Sequence, residues 1–176
     1  VILLCGANGS GKTTLLKALT EIRSEVEIAM IPTRIPKIKG FTLNEFINLS
    51  CYNKQNADSD KALKKLALSH LADRDISTLS DGEFQKGTIA AAIAKGAEII
   101  LMDEPTAFLD TENRRNVLST LRKLCEETGT AVIFSSHDLY EALETCNKVI
   151  ALGADRQCHI SSENLKDTIS AIFSKD

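Results

Sequence analysis

The 176-residue chain has no tryptophan, two tyrosines and three prolines. None of its apolar runs approaches the roughly 20 residues that a membrane helix needs. Runs such as residues 1–5 and 99–102 are far shorter. No basic start, apolar stretch and small-residue cleavage site mark a signal peptide. No excess of positive charge exists either: 21 Lys and Arg against 24 Asp and Glu leave a net charge of -3. That disfavours nucleic acid as a partner in the absence of a local basic patch. Five cysteines are present (Cys5, Cys51, Cys125, Cys146, Cys158), without a CxxC pair. They read as free, mostly buried thiols of a cytosolic protein. Neither internal repeat nor Pro/Gly/Ser-rich linker divides the chain, so one domain spanning 1–176 is expected. Hydrophobic residues at 43% and charged residues at 26% supply a core and exclude a disordered chain or a fibre.

What is present is an alternation of short apolar runs with helical periodicity. Strands are expected over 1–5, 26–31, 98–103, 130–135 and 148–152. A helix begins near Lys12 with Leu15, Leu16 and Leu19 inward. Thr42 and Glu45, three apart before Phe46 and Ile47, carry the capping-box signature of a helix start. Further helices are expected over 60–72, 81–95, 113–128 and 138–146, the last capped by Asp138. Leu165, Ile169, Ile172 and Phe173 mark a final one. Helices between buried strands predict an α/β fold with a mostly parallel sheet covered on both faces.

Gly6-Ala7-Asn8-Gly9-Ser10-Gly11-Lys12-Thr13-Thr14 follows a strand and opens a helix, the setting in which G-x-x-x-x-G-K-[ST] binds phosphate. Its glycines let backbone N–H groups turn toward phosphate oxygens, and the helix dipole adds to the attraction. Lys12 would bridge the β- and γ-phosphates of a nucleotide, and the Thr13 hydroxyl would coordinate Mg²⁺. A second strand ends in Asp103-Glu104. Asp103 can hold the Mg²⁺ hydration shell, and Glu104 can polarise a water for attack on the γ-phosphorus.

Asp103-Glu104-Pro105-Thr106, Ala107-Phe108-Leu109-Asp110 and Phe134-Ser135-Ser136-His137-Asp138 follow in order. Leu79-Ser80-Asp81-Gly82-Glu83 stands between the phosphate loop and the acidic strand end. With these motifs the chain resembles the ATP-binding subunit of ABC transporters, from Gly6 to His137 and in essentially all of its length. The resemblance implies a P-loop NTPase with a RecA-like core and a small helical signature subdomain, here roughly residues 40–95. It implies a head-to-tail dimer of two copies, with Ser80 and Gly82 contacting the γ-phosphate in trans. It also implies that His137 contacts the γ-phosphate, that Asp110 supports communication between subunits, and that a membrane permease docks near residues 42–49. The segment 70–78 and the LSDGE signature look most like the importers of iron-siderophores, haem or cobalamin. On this reading the chain is a cytoplasmic ATPase, peripheral on the inner face of the membrane, with no nucleic acid partner. The alternatives are a soluble ABC ATPase acting on DNA or ribosomes, and a hydrolysis-poor nucleotide-binding regulator.

The chain departs from the family pattern in four places. Asp81 replaces a signature glycine, and is expected to face solvent or cap the helix rather than repel phosphate. Thr33 stands where the family has a glutamine; it offers Mg²⁺ or water an oxygen of shorter reach. Five residues precede Gly6, so the strands carrying the family's adenine-stacking aromatic are not in this sequence. Residues 12–33 are also short for the family, and further residues are expected there in the intact protein; an intact mass equal to that of this sequence would overturn this. His70 and His159 lack partners at ligand spacing, and no metal site is expected at either.

Overall fold

The computed structural model describes residues 1–22, 25–52, 54, 57–153 and 157–173, of which 171–173 by backbone alone. The short segment 12–33 therefore lies partly outside the described residues.

Runs of apolar residues buried on both faces make interior parallel strands. Among the described residues the sheet has the order β2-β3-β4-β1-β5-β6. Strand β1 (Ile2–Gly6) lies between β4 (Ala131–Ser135) and β5 (Lys148–Leu152). Next to β4 come β3 (Ile99–Met102) and β2 (Ile28–Ile31), also parallel. All five strands thus end on one edge of the sheet, and the loops after β1, β3 and β4 meet there. Period-two alternation divides the core: Leu3 and Cys5 face one layer, Leu4 the other with Leu16 and Leu101.

Helix α1 (Lys12–Thr20) covers the second layer; α2 (Leu43–Ser50), α3 (Ser59–Lys65), α4 (Asp81–Ala94) and α5 (Thr111–Thr128) belong to the first. The expected capping box forms: Thr42 accepts from the Glu45 N–H, and Glu45 accepts from the Thr42 N–H at 2.8 Å. Helices α2 and α3 pack on α4, whose small residues permit close approach. A Cβ on Gly87 would stand 2.7 Å from Leu43 Cδ1.

Two expectations change, and one strand lies outside them. The helix expected over 60–72 ends at Lys65, because Ala67 adopts a left-handed φ of 55°. Leu68 N–H then reaches the Leu63 carbonyl at 2.8 Å and Ala67 N–H that of Lys64 at 3.1 Å. This reversal usually takes glycine. It buries Leu68 and leads into a 3₁₀ turn, Ser69–Leu71. Asp138 stands at the N-cap of α6 (Leu139–Thr145) without capping it through its side chain, which Arg114 takes instead. An antiparallel edge strand β6 (Cys158–Ser161) pairs with β5; its largely exposed side chains carry no inward face to announce it. Helix α7 (Leu165–Phe173) closes the described chain.

Candidate nucleotide site

The loop after β1 is shaped by its glycines. A Cβ on Gly6 would lie 2.5 Å from Ser10 Oγ, and Gly11 has a φ of 98° at the N-cap of α1. No side chain caps that helix end. Its leading N–H groups are left for an anion. Ser10 Oγ is enclosed and, among the described residues, has no hydrogen-bond partner. Lys12 is buried, its Nζ donating to the Gly6 and Ala7 carbonyls at 2.9 and 3.0 Å. An uncapped helix N-terminus, an orphaned hydroxyl and a buried ammonium in one loop fit nucleotide phosphates. Asn8, Gly9 and Thr14 line a cavity of about 880 Å³ beside this loop, with Leu15, Leu152 and Cys158.

At the neighbouring strand ends a continuous hydrogen-bonded chain forms. Thr13 Oγ1 donates to Asp103 Oδ2 at 2.8 Å, and Ser135 Oγ to Asp103 Oδ1 at 2.8 Å. Ser135 Oγ also accepts from the Glu104 N–H at 2.9 Å. Glu104 has a left-handed φ of 48°, and its Oε1 lies 2.6 Å from His137 Nε2. For a non-glycine residue that backbone costs about 1 kcal/mol or more and is held only by its surroundings. The paired Thr13 hydroxyl and Asp103 carboxylate are hard oxygen donors of the kind Mg²⁺ takes.

The signature residues form a second group. Ser80 caps α4 in a box with Glu83: Ser80 N–H donates to Glu83 Oε2 at 2.8 Å and Glu83 N–H to Ser80 Oγ at 3.2 Å. That backbone hydrogen bond holds the Glu83 carboxyl below its ordinary 4.5. Asp81 is exposed and paired with Lys37, so it faces solvent and the cap is Ser80. Gly82 packs on Asn113, where a Cβ would stand 2.5 Å from Asn113 Oδ1. Asp110 holds Asn113 through its N–H at 2.8 Å and its side-chain amide at 2.9 Å, and these bonds lower the Asp110 pKa. Thr33 is half-buried and shares a cavity of about 450 Å³ with Asp81, Gln85, Glu104 and Phe108. The Arg34 guanidinium stacks over the Phe108 ring at this cavity, 4.0 Å from its centroid.

The sequence reading did not single out Ser135, Lys37 or Arg114. For Ser135 a signal existed, because a hydroxyl directly after Phe134 falls beside Asp103 once Met102 pairs with Phe134. Lys37 and Arg114 meet their partners only through long-range packing.

A phosphate loop after the central strand of a parallel sheet, with an acidic strand end two strands away, defines a P-loop nucleotide-binding protein. A family model described as "ABC transporter" matches residues 1–107. The chain belongs to the ABC transporter family, as an ATP-binding ATPase component. It is 30% identical to the achromobactin transport ATP-binding protein of Dickeya dadantii, over 86% of this chain and 68% of that protein. It is equally 30% identical to the zinc import ATP-binding protein of Cereibacter sphaeroides, over 90% of this chain and 70% of that protein. A solved metal-chelate type ABC transporter in an inward-facing conformation matches with a TM-score of 0.85 and 27% identity, over 99% of this chain and 77% of that one.

Proposed function

We propose that the chain binds and hydrolyses ATP to drive import through a membrane permease, with an iron-siderophore, haem or cobalamin as cargo. Relatives named for achromobactin and zinc and a structural neighbour of metal-chelate type support the importer class. The observation that carries the reading is the chain Thr13–Asp103–Ser135–Glu104–His137 beside the phosphate loop.

In this reading Gly6, Asn8, Gly9, Ser10, Gly11, Lys12, Thr13 and Thr14 hold the ATP phosphates, with Lys12 exchanging its carbonyl partners for phosphate oxygens. Thr13 and Asp103, with Thr33 as a further oxygen, hold Mg²⁺, which supplies charge neutralisation on the γ-phosphate when bound. Glu104 orients the attacking water and accepts its proton, and His137 fixes the Glu104 carboxylate and meets the γ-phosphate. Ser80 and Gly82 contact the γ-phosphate of a second copy in a head-to-tail dimer, and Asp110 couples the two copies. Residues 1–176 act as one domain whose helical part is roughly 40–95. Exposed Leu49 and Tyr52, at the end of α2, offer the permease an apolar foothold. Among the described residues no helix is long and apolar enough to cross a membrane. The working position is peripheral, on the cytoplasmic face.

Two measurements test this. MgATP turnover by the purified chain is expected to vanish in Glu104→Gln, which should persist as an ATP-bound dimer. Turnover surviving in that variant removes Glu104 from its role. Affinity purification from native membranes is expected to recover a multi-span permease; recovery of nucleic acid or ribosomes instead selects a soluble ABC ATPase.

A further inference from the structure

We infer that Arg114 is a positioning residue for ATP hydrolysis, holding His137 against Glu104 through Asp138 and referring that position to the loop at Leu109. The inference rests on the assignment of Glu104 and His137 as the hydrolytic pair.

Arg114 stands in the first turn of α5, after the Asp110 cap. Its guanidinium joins the Leu109 carbonyl, just before α5, to two carboxylates at the start of α6. Nη1 donates to Asp138 Oδ2, Nη2 reaches the Leu109 carbonyl at 3.4 Å, and Nη1 lies 3.8 Å from Glu141 Oε2. A planar fork of N–H donors fixes direction as well as distance, which one ammonium does not do. Asp138 directly follows His137 and is pinned from the other side by Ser136. The Ser136 hydroxyl accepts from the Asp138 N–H and donates to the Asp138 carbonyl, both at 3.1 Å. The turn carrying His137 is thus clamped at both its main chain and its carboxylate. The His137 ring meets Glu104 at 2.6 Å, on a residue already held in left-handed backbone.

Had the pair been only a surface ion pair, its contribution would be small. Its connections argue otherwise. Asp110, next to Leu109, holds the Asn113 side chain that packs on Gly82. A contiguous set of contacts therefore runs from the signature turn through Asn113, Asp110 and Arg114 to His137 and Glu104. Arg114 Nε and Glu141 Oε2 are enclosed with no hydrogen-bond partner among the described residues. The network is incompletely satisfied as it stands. Arg115 Nε already occupies the other oxygen, Glu141 Oε1, at 3.0 Å. The guanidinium has a second carboxylate oxygen within a small shift, and movement of Leu109 would favour one acceptor over the other.

The test is a double-mutant cycle read in steady-state MgATP turnover of the full chain, using Arg114→Met, His137→Ala and the two combined. Arg114→Met is expected to lower kcat about tenfold, the scale of a small misplacement of reacting groups, with KM for ATP little changed. In the His137→Ala background the same change is expected to cost nothing further. Arg114→Lys should recover only part of the loss. Equal losses in both backgrounds, or unchanged kcat in Arg114→Met, overturn the proposal while leaving His137 in its role. Unchanged turnover in His137→Ala overturns the reading of the hydrolytic pair, and this inference with it. If Arg114→Met fails to fold, Asp138→Asn removes the same charged acceptor at constant size and is read in the same cycle.

Discussion

Lys37 Nζ lies 2.6 Å from Asp81 Oδ1 and 2.7 Å from the Leu79 carbonyl oxygen, so the extra carboxylate of the signature turn carries its own counter-cation. Asp81 opens α4, where a negative charge suits the helix dipole, yet the proposed neighbour in the dimer is another copy's γ-phosphate. Lys37 offsets the repulsion that Asp81 alone would bring to that phosphate. Lys37→Met is therefore expected to raise KM for ATP about fivefold, the effect of roughly 1 kcal/mol of uncompensated charge. Adding Asp81→Gly should restore it. A KM indifferent to Lys37→Met, measured at low ionic strength, would separate the pair from ATP binding.

Much of this site is legible because its chemistry is local in sequence. The phosphate loop needs glycines at fixed offsets, the capping box at Thr42 needs an acid three residues on, and Asp103-Glu104 ends an apolar run. The illegible parts depend on packing. Ala67 turns left-handed where nothing in the sequence substitutes for the usual glycine, and the reversal is stabilised by burying Leu68. Strand β6 exists because β5 offers an edge, since its own residues show no inward face. Asp138 carries a cap's residue type at a cap's position, but Arg114, 24 residues earlier, wins its carboxylate. Packing and edge pairing, rather than the residue types at these positions, decide all three.

Glu104 inverts the usual ranking of alanine and glycine. At a φ of 48° a Cβ is strained, whereas glycine adopts the conformation freely. Glu104→Gly is expected to be more stable than Glu104→Ala by about 1 kcal/mol, although both lack turnover. Denaturant midpoints of the two variants decide it; an Ala variant as stable as the Gly variant would mean that the turn relaxes.

The thiols should separate by reactivity. Burial, reinforced by nearby Cys146, pushes the Cys5 thiol from 9.0 up to about 11. Little nucleophilic thiolate exists there near neutrality. Cys158 is exposed and lines the cavity beside the phosphate loop. A maleimide at pH 7 is expected to label Cys158 first and Cys5 only on unfolding. MgATP at ten times its Kd should slow Cys158 labelling about tenfold by occupancy. A rate unaffected by MgATP would place the nucleotide outside this cavity.

The two helix caps predict the shape of the acid limb of stability. Glu45 and Glu83 both have carboxyls held below 4.5 chiefly by the backbone N–H groups of Thr42 and Ser80, with the hydroxyls of those residues adding to it. A carboxyl with a depressed folded-state pKa binds protons less readily when folded than when unfolded. Its contribution is complete above the unfolded value near 4.5 and is lost as the pH falls through the lower folded value. Thermal stability should therefore be insensitive to these groups from neutrality to about pH 5 and decline below it. Glu83→Gln keeps an acceptor for the Ser80 N–H but no titrating charge. The variant should melt about 2 °C below the wild type at pH 7, with the gap closing as the pH falls below the ordinary carboxylate range. Melting curves of the two proteins across that range test this, and a gap that stays constant with pH would show that the Ser80 bond is indifferent to the charge on residue 83.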